Sequence, residues 1–329
     1  MKPIQSTIIA TAALIGYASA QTATTVPVGY VTKSLAPNKY TLVSVTMQNP
    51  AVASGVIDAE SAAPNAVTDT EVNFTTLLTA GATYILELPD GQVQEITSWS
   101  GSVLTTPDNI TAFITPSTTT YKLRKASTVT DIFGANNKFG LLSDGDEDPS
   151  NNDLILIPNA ENSFDTIYYF DDGETTGWFD LDGNQADNSV IVYGDGIFVQ
   201  RQNQGSSIDL VISGELKTKP TKGTLFSGFN FLGAVSPVGL TLANSGLEES
   251  LTIATNEAEA ADTADYVLQQ NDDGTYRTAY YFNDGETQGW FDLDGETADD
   301  LVLDTGYLIN NKGVPKQISL DVPTNYSNF

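Results

Sequence analysis

The chain has 329 residues, with 14 basic and 42 acidic side chains and a formal net charge of −28; it contains no histidine and no cysteine. These counts exclude disulfides, a Ser-His-Asp triad, a Cys-His pair and the imidazole or thiolate sites of zinc, copper, haem and iron–sulfur clusters. The charge repels nucleic acid and anionic lipid, so neither is expected as a partner.

Read from the N-terminus, Met1-Lys2 is a minimal positive region, Ile8 to Gly16 is a short apolar run, and Ala18-Ser19-Ala20 has the A-x-A form of a cleavage site. This is the layout of a secretory signal peptide over residues 1–20. The apolar run is too short to span a bilayer, and no later stretch reaches that length. The remaining chain is expected to be exported to the periplasm, cell surface or extracellular space. There it must fold through core burial alone.

Short apolar or alternating runs then recur, punctuated by Gly, Asn, Asp and Pro. They predict strands at Tyr40–Thr46, Tyr84–Leu88, Tyr121–Leu123, Leu154–Ile157, Ile167–Phe170, Val190–Tyr193, Ile208–Ile212 and Leu301–Leu303. Pro89-Asp90-Gly91 joins Tyr84–Leu88 to Val93–Ile96 as a hairpin within a segment inserted near 70–125. Helix evidence is thin. Ser127–Phe133 reads as one capped turn, and the Ala/Glu-rich stretch Asn256–Asp265 has no apolar stripe, so it reads equally as a polar loop. The C-terminal stretch Val322–Phe329 does not alternate and contains Pro323, unlike a lipid-facing strand. The fold class is all-β, sandwich or barrel-like, with short helical turns only.

The chain also repeats itself. Residues 168–187 read YYFDDGETTGWFDLDGNQAD and residues 280–299 read YYFNDGETQGWFDLDGETAD, identical at 16 of 20 positions at an offset of 112. The match extends upstream, aligning Asp153–Ile157 with Asp265–Gln269, and downstream, aligning Gly196–Val199 with Gly306–Ile309. Gly214-Glu215-Leu216-Lys217 through Gly228-Phe229-Asn230-Phe231 is weakly similar to Gly29-Tyr30-Val31-Thr32 through Val43-Ser44-Val45-Thr46. Two tandem related β units follow, residues 21–205 and 206–329, the first carrying the inserted hairpin.

Within each motif, Tyr-Tyr-Phe is a strand, Asp-Gly a tight turn, and the segment through Gly-Trp-Phe-Asp a returning strand. The plainest reading is an aromatic hairpin whose tryptophan packs in the core. Calcium is the sharper one. Asp180, Asp182, Asn184 and Asp187 place four oxygen donors within eight residues, and Asp292, Asp294, Glu296 and Asp299 repeat the pattern, with Asp300 as a fifth. Calcium takes six to eight oxygens, often from alternating acidic residues around a glycine. The spacing resembles half of an EF-type loop without its full length or final bidentate Glu. Ser143-Asp144-Gly145-Asp146-Glu147-Asp148 is a third acidic cluster, read first as a solvated loop. Trp178, Trp290, Tyr169 and Tyr281 would form a sugar-stacking platform if they faced outward. Glu174 and Glu286 are the pair to nominate for a carboxylate glycosidase, although they hold matching places in two repeats.

The ordered set of Ala80–Tyr84, Tyr121–Lys125, Asp131–Gly134, Gly228–Phe231, Leu240–Leu247 and the Gly177-Trp178 and Gly289-Trp290 hairpins resembles a secreted paralogous protein family of Verrucomicrobia bacteria that has no known activity. The resemblance implies an exported protein of a many-copy family and supplies no catalytic residue or ligand. The expectation is a structural or adhesive protein of the cell exterior, not an enzyme, with calcium as the one candidate cofactor. Self-association or a polysaccharide is the expected partner. A polysaccharide-binding module is the second reading and a glycosidase the third.

Overall fold

The computed structural model describes residues 26–58, 63–145, 148–159, 163–202, 205–256, 260–303, 305–324 and 326. The expected signal peptide at 1–20 and the residues Asp146 and Glu147 lie outside them. Among the described residues the chain is all-β, helix is confined to short turns, and no helix is long and apolar enough to cross a membrane.

Two five-stranded antiparallel sheets are built in the same order. In the first, Thr176–Asp180, Phe164–Asp171, Leu154–Pro158, Gly196–Arg201 and Lys39–Ser44 lie side by side. In the second, the corresponding row is Gln288–Asp292, Tyr276–Asn283, Tyr266–Gln270, Tyr307–Asn311 and Gly228–Leu232. Register agrees as well as order. Tyr169 pairs with Trp178 as Tyr281 pairs with Trp290, and Phe170 with Gly177 as Phe282 with Gly289.

Each sheet buries one face under a ribbon. The first ribbon pairs Val28–Leu35 with Ile208–Leu216, and the second pairs Thr221–Leu225 with Lys316–Leu320. Alternation along these strands points Leu35, Leu210 and Ile212 inward onto Val43, Ile155, Ile197, Val199 and Trp178. Leu225, Ile318 and Leu320 cover Val267, Ile309 and Trp290 in the second unit. Each unit is thus a small sandwich with its own core.

The pairing corrects the expected boundary. Gly29 stands opposite Gly214 as a neighbour in one ribbon, so the start of that weak similarity joins partners, whereas its later part falls on Lys39–Ser44 and Gly228–Leu232, the matching edge strands of the two sheets. Ile208–Leu216 closes the first unit, and the junction to the second is the segment 217–220 in place of residue 205. The unit's last strand pairs with its first, a long-range pairing that local pattern does not reveal.

The insertion is also larger than a hairpin. The turn at 89–91 does join Tyr84–Glu87 to Val93–Glu95. Those strands belong to a four-stranded sheet with Ala51–Val56 and Thr120–Lys125, which packs with a second sheet of Ala66–Thr68, Val103–Thr105 and Ser98–Ser100. Between them lies a separate core that includes Phe74, Leu86, Leu104, Ile110, Tyr121 and Leu123. The inserted body therefore begins near residue 51.

Local expectations fare differently from place to place. Ser127–Phe133 holds a five-residue helix, Val129–Phe133, whose Thr128 and Asp131 form a reciprocal capping box. Within Asn256–Asp265, Ala260–Thr263 is a helical turn. Leu301–Leu303 is not a strand. Only Val302 makes a bridge, to Thr241, because Leu301 and Leu303 are buried as plugs of the second core.

The two units meet through the outer faces of their sheets. Leu42, Leu156, Phe164 and Phe198 from the first press on Phe231, Leu268 and Leu308 from the second. The Phe164 and Phe231 rings lie 5.1 Å apart, edge to face. Gln270 clamps the seam, accepting from the Leu42 amide at 3.0 Å and donating to the Tyr40 carbonyl at 2.9 Å. Backbones approach closely beside it. A Cβ on Gly196 would stand 2.7 Å from the Leu232 carbonyl oxygen, and one on Gly233 would stand 2.6 Å from that of Asp195.

Asp195 bridges to Leu232 at this seam, and burial pushes its carboxyl up to about 6. The folded state therefore prefers the proton. Below the unfolded value near ~3.9 the group is neutral in both states; as pH rises to about 6, the unfolded chain ionises first and stability falls. Asp195→Asn is expected to raise the melting temperature at neutral pH and flatten its slope between about pH 4 and 6. The gain should be about 1–2 kcal/mol, since the side chain keeps partial solvent access. Thermal unfolding across that range checks it, and an unchanged slope would refute it.

Candidate functional site

The repeated hairpins are the residues that sequence reasoning singled out. In both, glycine is required before tryptophan: Gly177 and Gly289 have φ of +153° and +154°, a conformation that side chains disfavour. That kink turns the indole inward. Trp178 is fully buried and Trp290 is 1% exposed. Tyr169 packs edge-on to Trp178 at 5.1 Å and Tyr281 to Trp290 at 5.4 Å. The Trp178 indole N–H donates to the Gly134 carbonyl at 2.9 Å, satisfying the one polar atom it buries. The four aromatics proposed as a sugar platform thus lie in the two cores or against them.

The acidic residues are turn residues. Asp172 accepts from the amides of Glu174 and Thr175 at 2.9 and 2.7 Å, and Asp284 accepts from those of Glu286 and Thr287 at the same distances. These amides hold both carboxyls below the usual carboxylate range. At the next turn, Asp180 accepts from the amides of Asp182 and Asn184, and Asp292 from those of Asp294 and Glu296. The Asn184 side chain adds a bond to Asp180 at 3.0 Å, and hydrogen bonds from Asn184 and its neighbours lower the Asp180 carboxyl. Asp-Gly with a self-bonded carboxylate is an Asx turn.

Asp187 and Asp299 sit apart from that turn, beside the Gly-Trp strand; the Asp299 carboxylate accepts from the Trp290 amide at 3.1 Å. Asp182, Asp294 and Glu296 are exposed. Asp300 pairs with Arg277 at 3.3 Å on the surface. Among the described residues, no group of three or more carboxylates converges on a point that could hold a metal ion. Glu174 and Glu286 are exposed in turns of different sheets. In the third cluster, Asp148 caps a short 3-10 turn through the Ser150 amide.

One repeated acidic pair was aligned by sequence without a role. Asp153 and Asp265 each immediately precede the central strand of a five-stranded sheet, and each is 1% exposed. Asp153 accepts from the amides of Leu142 at 2.8 Å and Gln202 at 2.7 Å. Asp265 accepts from those of Thr252 at 2.7 Å and Lys312 at 2.8 Å. Each carboxylate also has a cation, Arg201 at 2.6 Å in the first unit and Lys316 in the second. The donors lie 11 to 51 residues away in sequence, so no local motif announces them.

A second buried ionic group ties the inserted body to the first unit. Glu87 accepts from Arg124 at 3.0 Å, Tyr193 at 2.8 Å and Lys217 at 3.1 Å, and Arg124 also pairs with Glu215 at 2.5 Å. Burial alone would raise the Glu87 carboxyl. Lys217, Arg124 and the Tyr193 hydroxyl outweigh it and keep the group ionised, below its ordinary value.

Compared with known proteins, this chain matches no family model, no curated protein and no solved structure.

Two outcomes follow from this geometry. Melting of the chain without residues 1–20 in calcium, in magnesium and in EDTA at matched ionic strength tests the Asp-Gly loops, and equal curves would leave them plain turns. A calcium-specific rise lost in Asp180→Ala/Asp292→Ala would instead make the Asp-Gly loops ion sites. Asp153→Ala leaves Arg201 buried without its anion and strands two loop amides, so a loss of about 3–5 kcal/mol is expected. Denaturant unfolding measures it.

Proposed function

We propose that this chain is an exported structural or adhesive protein of the cell exterior, a β scaffold and not an enzyme. The observation that carries the reading is how the repeated motif is used. Both tryptophans lie inside, and the carboxylates of Asp172, Asp180, Asp284 and Asp292 are bonded to their own turns. The motif thus serves the fold twice over in one register. A glycosidase needs two carboxyls facing one bond, about 5–10 Å apart across a cleft. Glu174 and Glu286 instead occupy exposed turns in separate units.

The surface left by this arrangement is strongly acidic, with a net charge of −28 for the whole chain. Such a surface stays soluble and resists casual association where counterions screen it. Calcium at the Asp-Gly loops would add to turns that already form without it.

Fractionation of cells producing the full chain, followed with an antibody, tests the proposal. Recovery in the envelope or matrix fraction is expected. Recovery wholly as free protein in the medium would overturn the structural role. Reducing-sugar release from polysaccharide that is abolished by Glu174→Gln or Glu286→Gln would overturn the non-enzymatic one.

A further inference from the structure

The strongest departure from the acidic character of this chain is a single cleft. Its volume is about 430 Å³, within the range of small-molecule sites. It lies between the outer face of the inserted four-stranded sheet and the junction segment that joins the two units. Lys122, Arg124, Lys217 and Lys219 line it, four of the 14 basic residues of the chain. Glu87 is the one acidic residue in its wall. Of the chain's 42 acidic residues only Glu87 lines the cleft, so this concentration of cations is local.

Charge accounting separates structure from surplus. Glu87 and Glu215 balance Arg124 and Lys217, through bonds already described. The side chains of Lys122 and Lys219 have no ion pair or hydrogen bond among the described residues, which leaves two cations facing one space. Strand alternation explains part of the placement: Tyr121 and Leu123 go to the inserted core, and Lys122 and Arg124 take the opposite face. The other walls mix apolar Val56, Leu88 and Pro89 with the hydroxyl-bearing Ser54, Thr120 and Thr218. The buried ionic group beneath is rigid, since both partners of each pair are largely enclosed. Preformed cationic groups over an apolar floor recognise a ligand of matching polarity.

We propose that this cleft binds a small organic anion, with an apolar body of one or two rings on Val56, Leu88 and Pro89 and its anionic group between Lys122 and Lys219. A carboxylate, sulfate or sulfonate supplies the same chemistry. A dense polyanion is disfavoured by the net charge around the site. The site goes beyond the scaffold role and does not rest on it, since binding is measured on purified protein whatever fraction of the cell holds it.

The test uses 8-anilinonaphthalene-1-sulfonate and its uncharged relative N-phenyl-1-naphthylamine, read by fluorescence on the purified chain. Saturable one-to-one binding of the sulfonate, weakened by salt, is expected, with no comparable binding of the neutral compound. In Lys122→Gln/Lys219→Gln the affinity should fall about tenfold or more. Lys33→Gln/Lys312→Gln, outside the cleft, should leave it unchanged. Competition with 1-naphthoate and with inorganic sulfate distinguishes the sources: displacement by naphthoate, and not by sulfate, places recognition in the body and the charge together. The rim variants must unfold at the wild-type temperature; if they do not, Lys122→Arg/Lys219→Arg, which keeps the charge, must retain binding. Equal binding of the neutral compound, undiminished binding in the glutamine variant, or no saturable binding would each overturn the proposal.

Discussion

A carboxylate buried at the head of a central strand organises each unit. Asp153 stands between the segment that enters the sheet at Leu142 and the one that leaves it at Gln202, and bonds to the backbone of both. Removing such a charge from water costs several kcal/mol unless every lone pair finds a partner. The two amides and Arg201 provide those partners only when three distant segments stand in one arrangement. Slippage of any of them would leave a bare buried anion. Asp265 repeats the device with Thr252, Lys312 and Lys316. The sheets share their strand order, and they also share the constraint that specifies it.

The three bodies are joined by two unlike kinds of contact. Unit meets unit through aromatic and aliphatic side chains and glycines that admit close backbones. The inserted body meets the first unit through Glu87, Arg124, Glu215, Tyr193 and Lys217. An apolar face tolerates small adjustments, because dispersion and water exclusion are not directional. A hydrogen-bonded ion cluster does not, and it fixes orientation at the cost of desolvation. The cleft is a by-product of the second contact: a sheet face bearing charges cannot collapse onto its neighbour as an apolar one would.

Much of this was legible in the sequence, and the rest was hidden for physical reasons. Period-two runs and Asp-Gly turns carry local information, and they located most strands and both aromatic hairpins. The repeat of YYF and GW marked matching hairpins because their structure is made within twenty residues. The partner of Ile208–Leu216 lies 180 residues back along the chain at Val28–Leu35, where no local pattern reaches. The inserted body reads as one hairpin in sequence because its other strands pair across distance, Ala51–Val56 with Thr120–Lys125 and Ala66–Thr68 with Val103–Thr105. The donor spacing of the acidic loops is visible in sequence, whereas the turn amides that bond Asp180 and Asp292 are not. The cationic cleft has no sequence signature because Lys122 and Lys219 are separated by nearly a hundred residues.

The closing ribbons also determine how the molecule would respond to tension. In each unit the first strand runs antiparallel to the last, so Val28 lies opposite Glu215 and Thr221 opposite Leu320. A pull on the chain at either side of a unit acts on two neighbouring ends of one ribbon. Its hydrogen bonds then break in sequence like a zipper, and do not share the load as they would in shear. Peeling the ribbon also draws Leu35, Leu210 and Ile212 off the first core, and Leu225, Ile318 and Leu320 off the second, so opening the ribbon uncovers the sheet behind it.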